Sequence, residues 1–235
     1  MAYGMPMLPG HDDSSSLRPI DLKPESLTSL ALEALKTAIV DKSLAPGTRV
    51  SEAMLAARLN VSKTPVREAL LRLRHIGLVE SASGQLRVVL PSRESIRNAY
   101  EFRSGLEWQT ARLATERATA EDKKRIVEVA ERSLAAAKAG DTAGFRHADR
   151  ALHSMIARMS GNAVLSSAIE DSLLLTSALR ERDVPVTGDS IDCSIEHIGI
   201  AQAIEAGRAE KASADMAGHI MHVMTMVLAA APDGT

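Results

Sequence analysis

The chain has 235 residues, of which 45% are hydrophobic and 2% aromatic, and its formal net charge is −2. That length allows two domains, each large enough to bury a core. The only cysteine, Cys193, excludes an intramolecular disulfide, and no apolar run approaches the length of a membrane span.

Residues 1–23 are rich in Gly, Pro and Ser, and they lack the cationic start and the apolar stretch of a signal peptide. We expect this segment to be a disordered leader. A single cysteine is also typical of proteins from reducing compartments. The sequence therefore predicts a cytoplasmic protein without a membrane partner.

Residues 24–91 are predicted to form a winged helix-turn-helix, in which short helices precede a small β hairpin. Ser51 can cap the first helix of the motif through its hydroxyl. Leu55 and Leu59 lie one turn apart on the apolar face of that helix. Asn60 follows, and asparagine tolerates the left-handed conformation that ends a helix.

The second helix of the motif is predicted to be capped by Ser62, with Pro65 in its first turn, where a missing N–H costs little. Its core-facing positions recur at helical spacing and are Val66, Ala69, Leu70 and Leu73. Gly77 ends this helix. The residues that follow predict two paired strands, Leu78–Ser81 and Leu86–Leu90, around a wing tip at Ser83-Gly84-Gln85.

Three polar residues, Lys63, Thr64 and Arg67, are predicted to point outward at the start of the second helix. In a helix-turn-helix this end enters the major groove of DNA, where Lys and Arg reach base edges or phosphates. Residues 24–92 carry nine Lys or Arg and six Asp or Glu, a net charge of +3, whereas residues 93–235 carry −4. The pattern alone also fits a helical hairpin with a solvated basic face.

The segment SKTPVREALLRLRHIGLVE closely resembles the recognition segment of the GntR family of bacterial transcription regulators, and the resemblance runs from about Leu27 to Leu90. It implies that DNA contacts are made by Ser62, Lys63, Thr64 and Arg67, with Gly84 at the wing tip. Two positions depart from the family pattern. Lys63 replaces the usual arginine and lacks its bidentate fork, and Ala53 stands where an arginine often contacts DNA.

Residues 92–231 are predicted to form an all-α antiparallel bundle. Ala, Leu, Glu, Arg and Met dominate this part of the chain at helical periods. Breaks in the pattern divide it into about six helices; they fall near Thr119-Ala120, Gly140-Asp141, Gly161-Asn162, 185–188 and Gly207.

Asp149 and His153 are four residues apart, so both side chains lie on one helix face at a spacing that two metal ligands can share. His197 and His219 fall on the last two long helices and can complete a site of one carboxylate and three imidazoles. Such ligands suit Zn²⁺, and also Ni²⁺ or Mn²⁺. An Asp/His pair at this spacing is more often a surface ion pair, and single histidines usually occupy solvated or satisfied core positions. The pattern also leaves His222 open as a substitute ligand.

Three segments of the bundle resemble the FCD domain, the ligand-binding domain of the FadR subgroup of the GntR family. They are FRSGLEWQTARLA, DRALHSMIARMSGNAVL and EHIGIAQAIEAGRAEKASADMAGHI, within residues 100–228. The resemblance implies that Asp149, His153, His197 and His219 hold a divalent metal ion. It further implies a small carboxylate effector at the open coordination positions, with Arg103 as an effector-binding residue. The alternative role for Arg103 is an ion pair with Glu107, one turn away.

Together these features predict a ligand-responsive repressor that acts as a homodimer on an inverted-repeat DNA operator. A metal-dependent hydrolase is the alternative from another class, because a metal with open positions can activate water. The sequence lacks HExxH, GxSxG and phosphate-binding glycine loops, so we predict that the protein is not an enzyme. A third hypothesis is an architectural DNA-binding protein whose bundle only dimerises.

Overall fold

In the computed structural model, which describes residues 26–180 and 188–230, nine helices and one three-stranded sheet follow one another along those ranges. The predicted leader lies outside the described residues. We call the part from residue 26 to residue 91 the head and the part from residue 92 onward the bundle. The head contains α1 (Leu27–Val40), β1 (Arg49–Val50), α2 (Glu52–Leu59), α3 (Lys63–Ile76), β2 (Val79–Ala82) and β3 (Gln85–Val88).

Local signals set the ends of the head helices. The Ser51 hydroxyl accepts a hydrogen bond from the backbone N–H of Met54, as the capping prediction requires. Asn60 and Gly77 end α2 and α3 in the left-handed conformation, with φ of 53° and 88°. Ser62 precedes α3, but its side chain makes no capping hydrogen bond, so the predicted side-chain cap was wrong.

The sheet has the order β1-β3-β2, with both pairs antiparallel. Strands β2 and β3 form the predicted hairpin, and Ser83 and Gly84 connect them with φ of 51° and 74°. Two successive positive φ values are typical of the two-residue turn that matches the twist of a hairpin. Strand β1 was not predicted, because a strand of two residues carries no readable alternation.

The bundle contains six helices over the described residues: α4 (Arg93–Arg117), α5 (Ala120–Lys138), α6 (Thr142–Met159), α7 (Ala163–Leu179), α8 (Gly188–Glu205) and α9 (Ala209–Ala230). Helix α4 packs against α6, α7, α8 and α9, and α5 packs against α6 and α8. The predicted fold class, a winged helix-turn-helix followed by a helical domain, is confirmed. None of the helices in the described ranges is long and apolar enough to cross a membrane.

Helix α7 carries the contacts between the bundle and the head. Arg72 of α3 donates to the Asp171 carboxylate across 3.0 Å, and the Lys42 ammonium donates to the backbone carbonyl of Ala178. Leu175 packs beside the glycine that ends α3. Helix α3 of the head therefore rests directly on α7.

Candidate metal centre and nucleic-acid interface

Four side chains from three helices converge inside the bundle. Asp149 and His153 come from α6, His197 from α8 and His219 from α9, and one potential ligand atom from each lies within 4.8 Å of all the others. The Asp149 Oδ1 atom is 3.5 Å from His197 Nε2 and 3.8 Å from His153 Nε2. The two Nε2 atoms of His197 and His219 are 3.1 Å apart. The structure thus brings together the four residues that the sequence selected.

The three imidazoles are almost fully buried, at 1%, 0% and 2% exposure for His153, His197 and His219. Among the described residues His153 Nε2 has no hydrogen-bond partner. A buried polar atom without a partner costs free energy, and a cation bound to this nitrogen would remove that cost. The donor set fits a divalent cation.

A second layer of residues orients each imidazole. Glu107 accepts from His153 Nδ1, and Glu196 Oε2 accepts from His219 Nδ1 at 2.7 Å. Ser133 Oγ lies 3.3 Å from His197 Nδ1. Because a carboxylate only accepts, His153 and His219 carry a proton on Nδ1, and Nε2 is the ring nitrogen that faces the cluster. This arrangement of outer partners is typical of histidines that bind metal ions.

The protonation states also suit metal binding. Burial raises the pKa of Asp149, but His153 and His197 outweigh it and hold the pKa below its usual value. Burial, reinforced by the charge of His219, lowers the pKa of His197 well below 6.5. Burial lowers the pKa of His219 too, although its hydrogen bond to Glu196 opposes the shift. At neutral pH the cluster therefore offers a carboxylate and at least two neutral imidazoles, the forms that bind metal ions.

We expect the metal-free protein to lose stability as the pH falls from about 6.5 towards 5, because an unfolded histidine has a pKa of ~6.5. His197 and His219 stay neutral in the folded state while the unfolded chain binds protons. The free energy of unfolding should then fall by up to about 1.4 kcal/mol per pH unit for each of them. Urea denaturation of chelator-treated protein measures this slope. The slope should be shallower in a His219→Gln variant, and a pH-independent stability of the parent would contradict the assignment.

Arg103 forms an ion pair with Glu107, the carboxylate that contacts His153. Its Nε donates to Glu107 Oε1 at 2.5 Å, and both side chains are buried. Burial raises the pKa of Glu107, but Arg103 and His153 outweigh it and lower the pKa to about 2. Arg103 Nη1 points to Thr176 Oγ1 at 3.5 Å, and the arginine also lines a cavity beside the cluster. The ion pair is thus present, and an effector contact from the Nη atoms stays a prediction.

The cavity has a volume of about 860 Å³, and Asp149 lies in its wall. Arg180, at the end of α7, also lines it. Arg180 Nε donates to the Tyr100 hydroxyl at 2.7 Å, and Tyr100 and Asp149 together raise the pKa of Arg180 even though burial opposes them. A permanently charged guanidinium therefore stands in the cavity close to the cluster.

Sequence reasoning missed the supporting residues Glu107 and Glu196 as partners of the histidines, and it missed Arg180. Asp215, which lies one turn before His219, pairs with Lys211 at 2.9 Å. The only sequence signal for Glu196 is its position next to His197. His222 lies outside the four-residue cluster and donates to Glu196 Oε1 at 2.8 Å.

In the head, Ser62, Lys63, Thr64 and Arg67 are all exposed at the N-terminal part of α3. Gly84 is exposed at the tip of the hairpin, on a separate element. Arg67 is not isolated, because its Nε and Nη2 donate to Glu52 Oε1 and Oε2 at 2.9 and 3.1 Å. The structure therefore presents four predicted residues as one surface, with a carboxylate beside the arginine.

Comparison with known families identifies the family of the chain. Residues 27–89 match the family described as bacterial regulatory proteins, gntR family, and residues 98–222 match the FCD domain. The second match alone spans more than half of the chain. The chain belongs to the GntR family of bacterial regulators, with an FCD domain.

Relatives of this GntR regulator are transcription factors. It is 31% identical to a probable D-xylose utilization operon transcriptional repressor of Paenarthrobacter nicotinovorans, over 74% of this chain and 76% of that one. It is 29% identical to the HTH-type transcriptional regulator LutR of Bacillus subtilis, over 79% of this chain and 94% of LutR. The prediction that the protein is a transcriptional regulator and not an enzyme is confirmed.

Solved structures show the same fold. The GntR regulator superposes on Escherichia coli McbR/YncC with a TM-score of 0.72 at 23% identity, covering 87% of this chain and 98% of that one. A regulator from Rhodococcus gives a TM-score of 0.66 at 24% identity, with the same two coverages. Both similarities are similarities of fold, and they extend over the head and the bundle.

Proposed function

We propose that this GntR regulator is a repressor whose bundle binds a divalent metal ion and a small carboxylate effector, and whose affinity for its operator changes when the effector binds. The convergence of three buried imidazoles and Asp149, with an unpartnered Nε2 among them, carries the proposal. Residues 24–91 would act as the DNA-binding domain and residues 92–231 as the sensor domain of a cytoplasmic homodimer.

Asp149, His153, His197 and His219 would hold the ion. One carboxylate and three imidazoles suit the borderline ion Zn²⁺ best, and they also accept Ni²⁺ or Mn²⁺. Four protein ligands leave positions open on an ion that accepts six, and the cavity beside Asp149 gives access to them. The bound ion would supply positive charge that attracts a carboxylate.

Two guanidinium groups would bind the effector in the cavity. The Nε atom of Arg103 donates to Glu107, and its Nη1 atom lies beside Thr176. The Nη atoms are the ones that would contact the effector. Arg180 donates from its Nε to Tyr100, and it lines the same cavity. Charge-assisted hydrogen bonds from such groups recognise carboxylates strongly. We assign Arg180 to the effector site beside Arg103.

Two heads of a homodimer would bind the half-sites of an inverted repeat, with both α3 helices in the major groove. Ser62, Lys63, Thr64 and Arg67 would contact bases and phosphates there, and Gly84 would bring the wing close to the sugar-phosphate backbone. Their exposure on one end of α3 and on the hairpin tip supports this arrangement.

Helix α7 would transmit the signal between the two sites. Thr176 and Arg180, at its C-terminal end, face the cavity. Asp171 and Ala178 of the same helix make the hydrogen bonds to the head. An effector that pulls Arg180 towards the metal would shift α7 under α3, and DNA would oppose that shift to the same extent because the coupling is reciprocal.

Fluorescence anisotropy of a labelled operator tests the function. The operator is selected in vitro with the wild type, and zinc-loaded protein is titrated against it with a panel of hydroxy acids, sugar acids and dicarboxylates. We expect at least one acid to weaken operator binding, and its apparent affinity to fall by about 10–100-fold in Arg180→Gln, as the loss of a charged hydrogen bond implies. An operator affinity unchanged by every acid, or changed equally in His153→Ala, would contradict the proposal.

The role of α7 gives a separate prediction. Asp171→Asn removes the ion pair to Arg72 but leaves both binding sites in place. We expect the acid found in the screen to bind as before and to change operator affinity less, with the coupling reduced by ~0.5–2 kcal/mol. Asp215→Asn is the matched control, because it breaks a similar ion pair on α9. Equal coupling in the parent and both variants would exclude this route.

A further inference from the structure

A second cluster of metal-ligating side chains lies next to the first one. Cys193 and Glu196 are three residues apart on α8 and share a face, and His222 faces them from α9. One atom from each, the Cys193 sulfur, a Glu196 oxygen and a His222 nitrogen, lies within 4.8 Å of the other two. The proposed function uses none of these three as a metal ligand.

The surroundings of this cluster differ from those of the first. Cys193 is 4% exposed, while the side chains of Glu196 and His222 are 34% and 37% exposed. Cys193 and His222 also line the 860 Å³ cavity. The cluster therefore has a buried sulfur ligand and an open side through which an ion and a further ligand can enter.

Glu196 connects the two clusters. Its Oε2 accepts from His219 Nδ1, whereas its Oε1 accepts from His222 Nδ1 at 2.8 Å. A carboxylate with one oxygen on a histidine of the first site can therefore give its other oxygen to a second ion. The hydrogen bond that orients His219 uses only Oε2 of Glu196. It does not explain why His222 and the Cys193 sulfur lie beside the same carboxylate.

We propose that Cys193, Glu196 and His222 form a second metal site, which takes a borderline or soft cation such as Zn²⁺ and keeps a coordination position open to the cavity. Thiolate, imidazole and carboxylate together form a common ligand set for Zn²⁺. The ion would displace the thiol proton of Cys193 into solvent. His222 would move its Nδ1 proton to Nε2 and bind the ion through Nδ1. The effector cavity would then be lined by two ions coupled through Glu196.

Cobalt titration of the full chain tests the second site, because sulfur belongs to this site alone. Co²⁺ bound to a thiolate produces a near-ultraviolet charge-transfer band, whereas the nitrogen and oxygen ligands of the first site do not. We expect the wild type to develop this band and to bind a second equivalent of Co²⁺. We expect Cys193→Ser to lose the band and the second equivalent but to keep the first.

His222→Gln should weaken the second equivalent by at least about 10-fold, and His147→Gln is the matched control, since His147 lines the same cavity outside both clusters. His153→Ala should retain the band, so that failure of the first site and failure of the second are distinguishable. A cobalt-saturated wild type without the band, or a band of full strength and affinity in His222→Gln, would overturn the proposal.

Discussion

Replacing His153 with alanine should remove one bound divalent ion per chain. The variant deletes one of four ligands that lie within 4.8 Å of one another, and it also leaves Glu107 without the imidazole that it orients. Loss of an outer partner alone lowers metal affinity by about 10–100-fold, so loss of the ligand itself should cost at least that much. Plasma mass spectrometry of untagged protein, loaded with Zn²⁺ and dialysed, measures the difference.

His147→Ala controls for the loss of any histidine on α6, because His147 is exposed and belongs to neither cluster. Circular dichroism must show that His153→Ala retains the helical content of the parent. A folded His153→Ala that keeps as much zinc as the parent and as His147→Ala would remove this residue from the site. A parent protein that retains no zinc after dialysis would instead favour the architectural hypothesis, which requires no metal.

Replacing Arg67 with alanine should weaken operator binding by about 1–3 kcal/mol, if its guanidinium contacts a base edge in the major groove. Arg67 lies exposed near the start of α3, beside Lys63 and Thr64. The metal content of the variant should equal that of the parent, since Arg67 lies in the head. Anisotropy at one fixed salt concentration measures the affinity, because phosphate contacts make it depend on salt.

The Glu52→Gln variant distinguishes between two roles of Arg67, a contact with DNA and stabilisation of the head through Glu52. It breaks the ion pair with Arg67 and leaves the guanidinium in place. If Arg67 only stabilises the head through Glu52, both variants should have the same effect. We expect instead that Glu52→Gln binds the operator at least as tightly as the parent, because it releases two N–H donors. Parental affinity in Arg67→Ala would contradict the assignment of the recognition helix.

The head was predictable because its signals are local. Ser51, Asn60 and Gly77 each act on the helix end where they stand, and the structure places a cap or a left-handed residue at each of them. Strand β1 was not predictable in the same way. Arg49 and Val50 become a strand only because β3 lies beside them, which is a tertiary event.

The candidate metal site was predictable only in its innermost layer. The spacing of Asp149 and His153 pairs them on one helix, and resemblance to the FCD domain adds His197 and His219. Glu196, as the partner of a histidine, arises from the packing of α8 on α9, and no spacing along the chain encodes it. Arg180 was missed for the same reason, since only the docking of α7 on α4 brings it to Tyr100.

The most direct test of the metal centre is a crystal of the zinc-loaded protein measured at the zinc absorption edge. We predict an anomalous difference peak between the Nε2 atoms of His153, His197 and His219 and the carboxylate of Asp149. A well-ordered cluster without such a peak, in crystals grown from zinc-saturated protein, would contradict the account and leave the bundle without the metal on which the proposed effector binding depends.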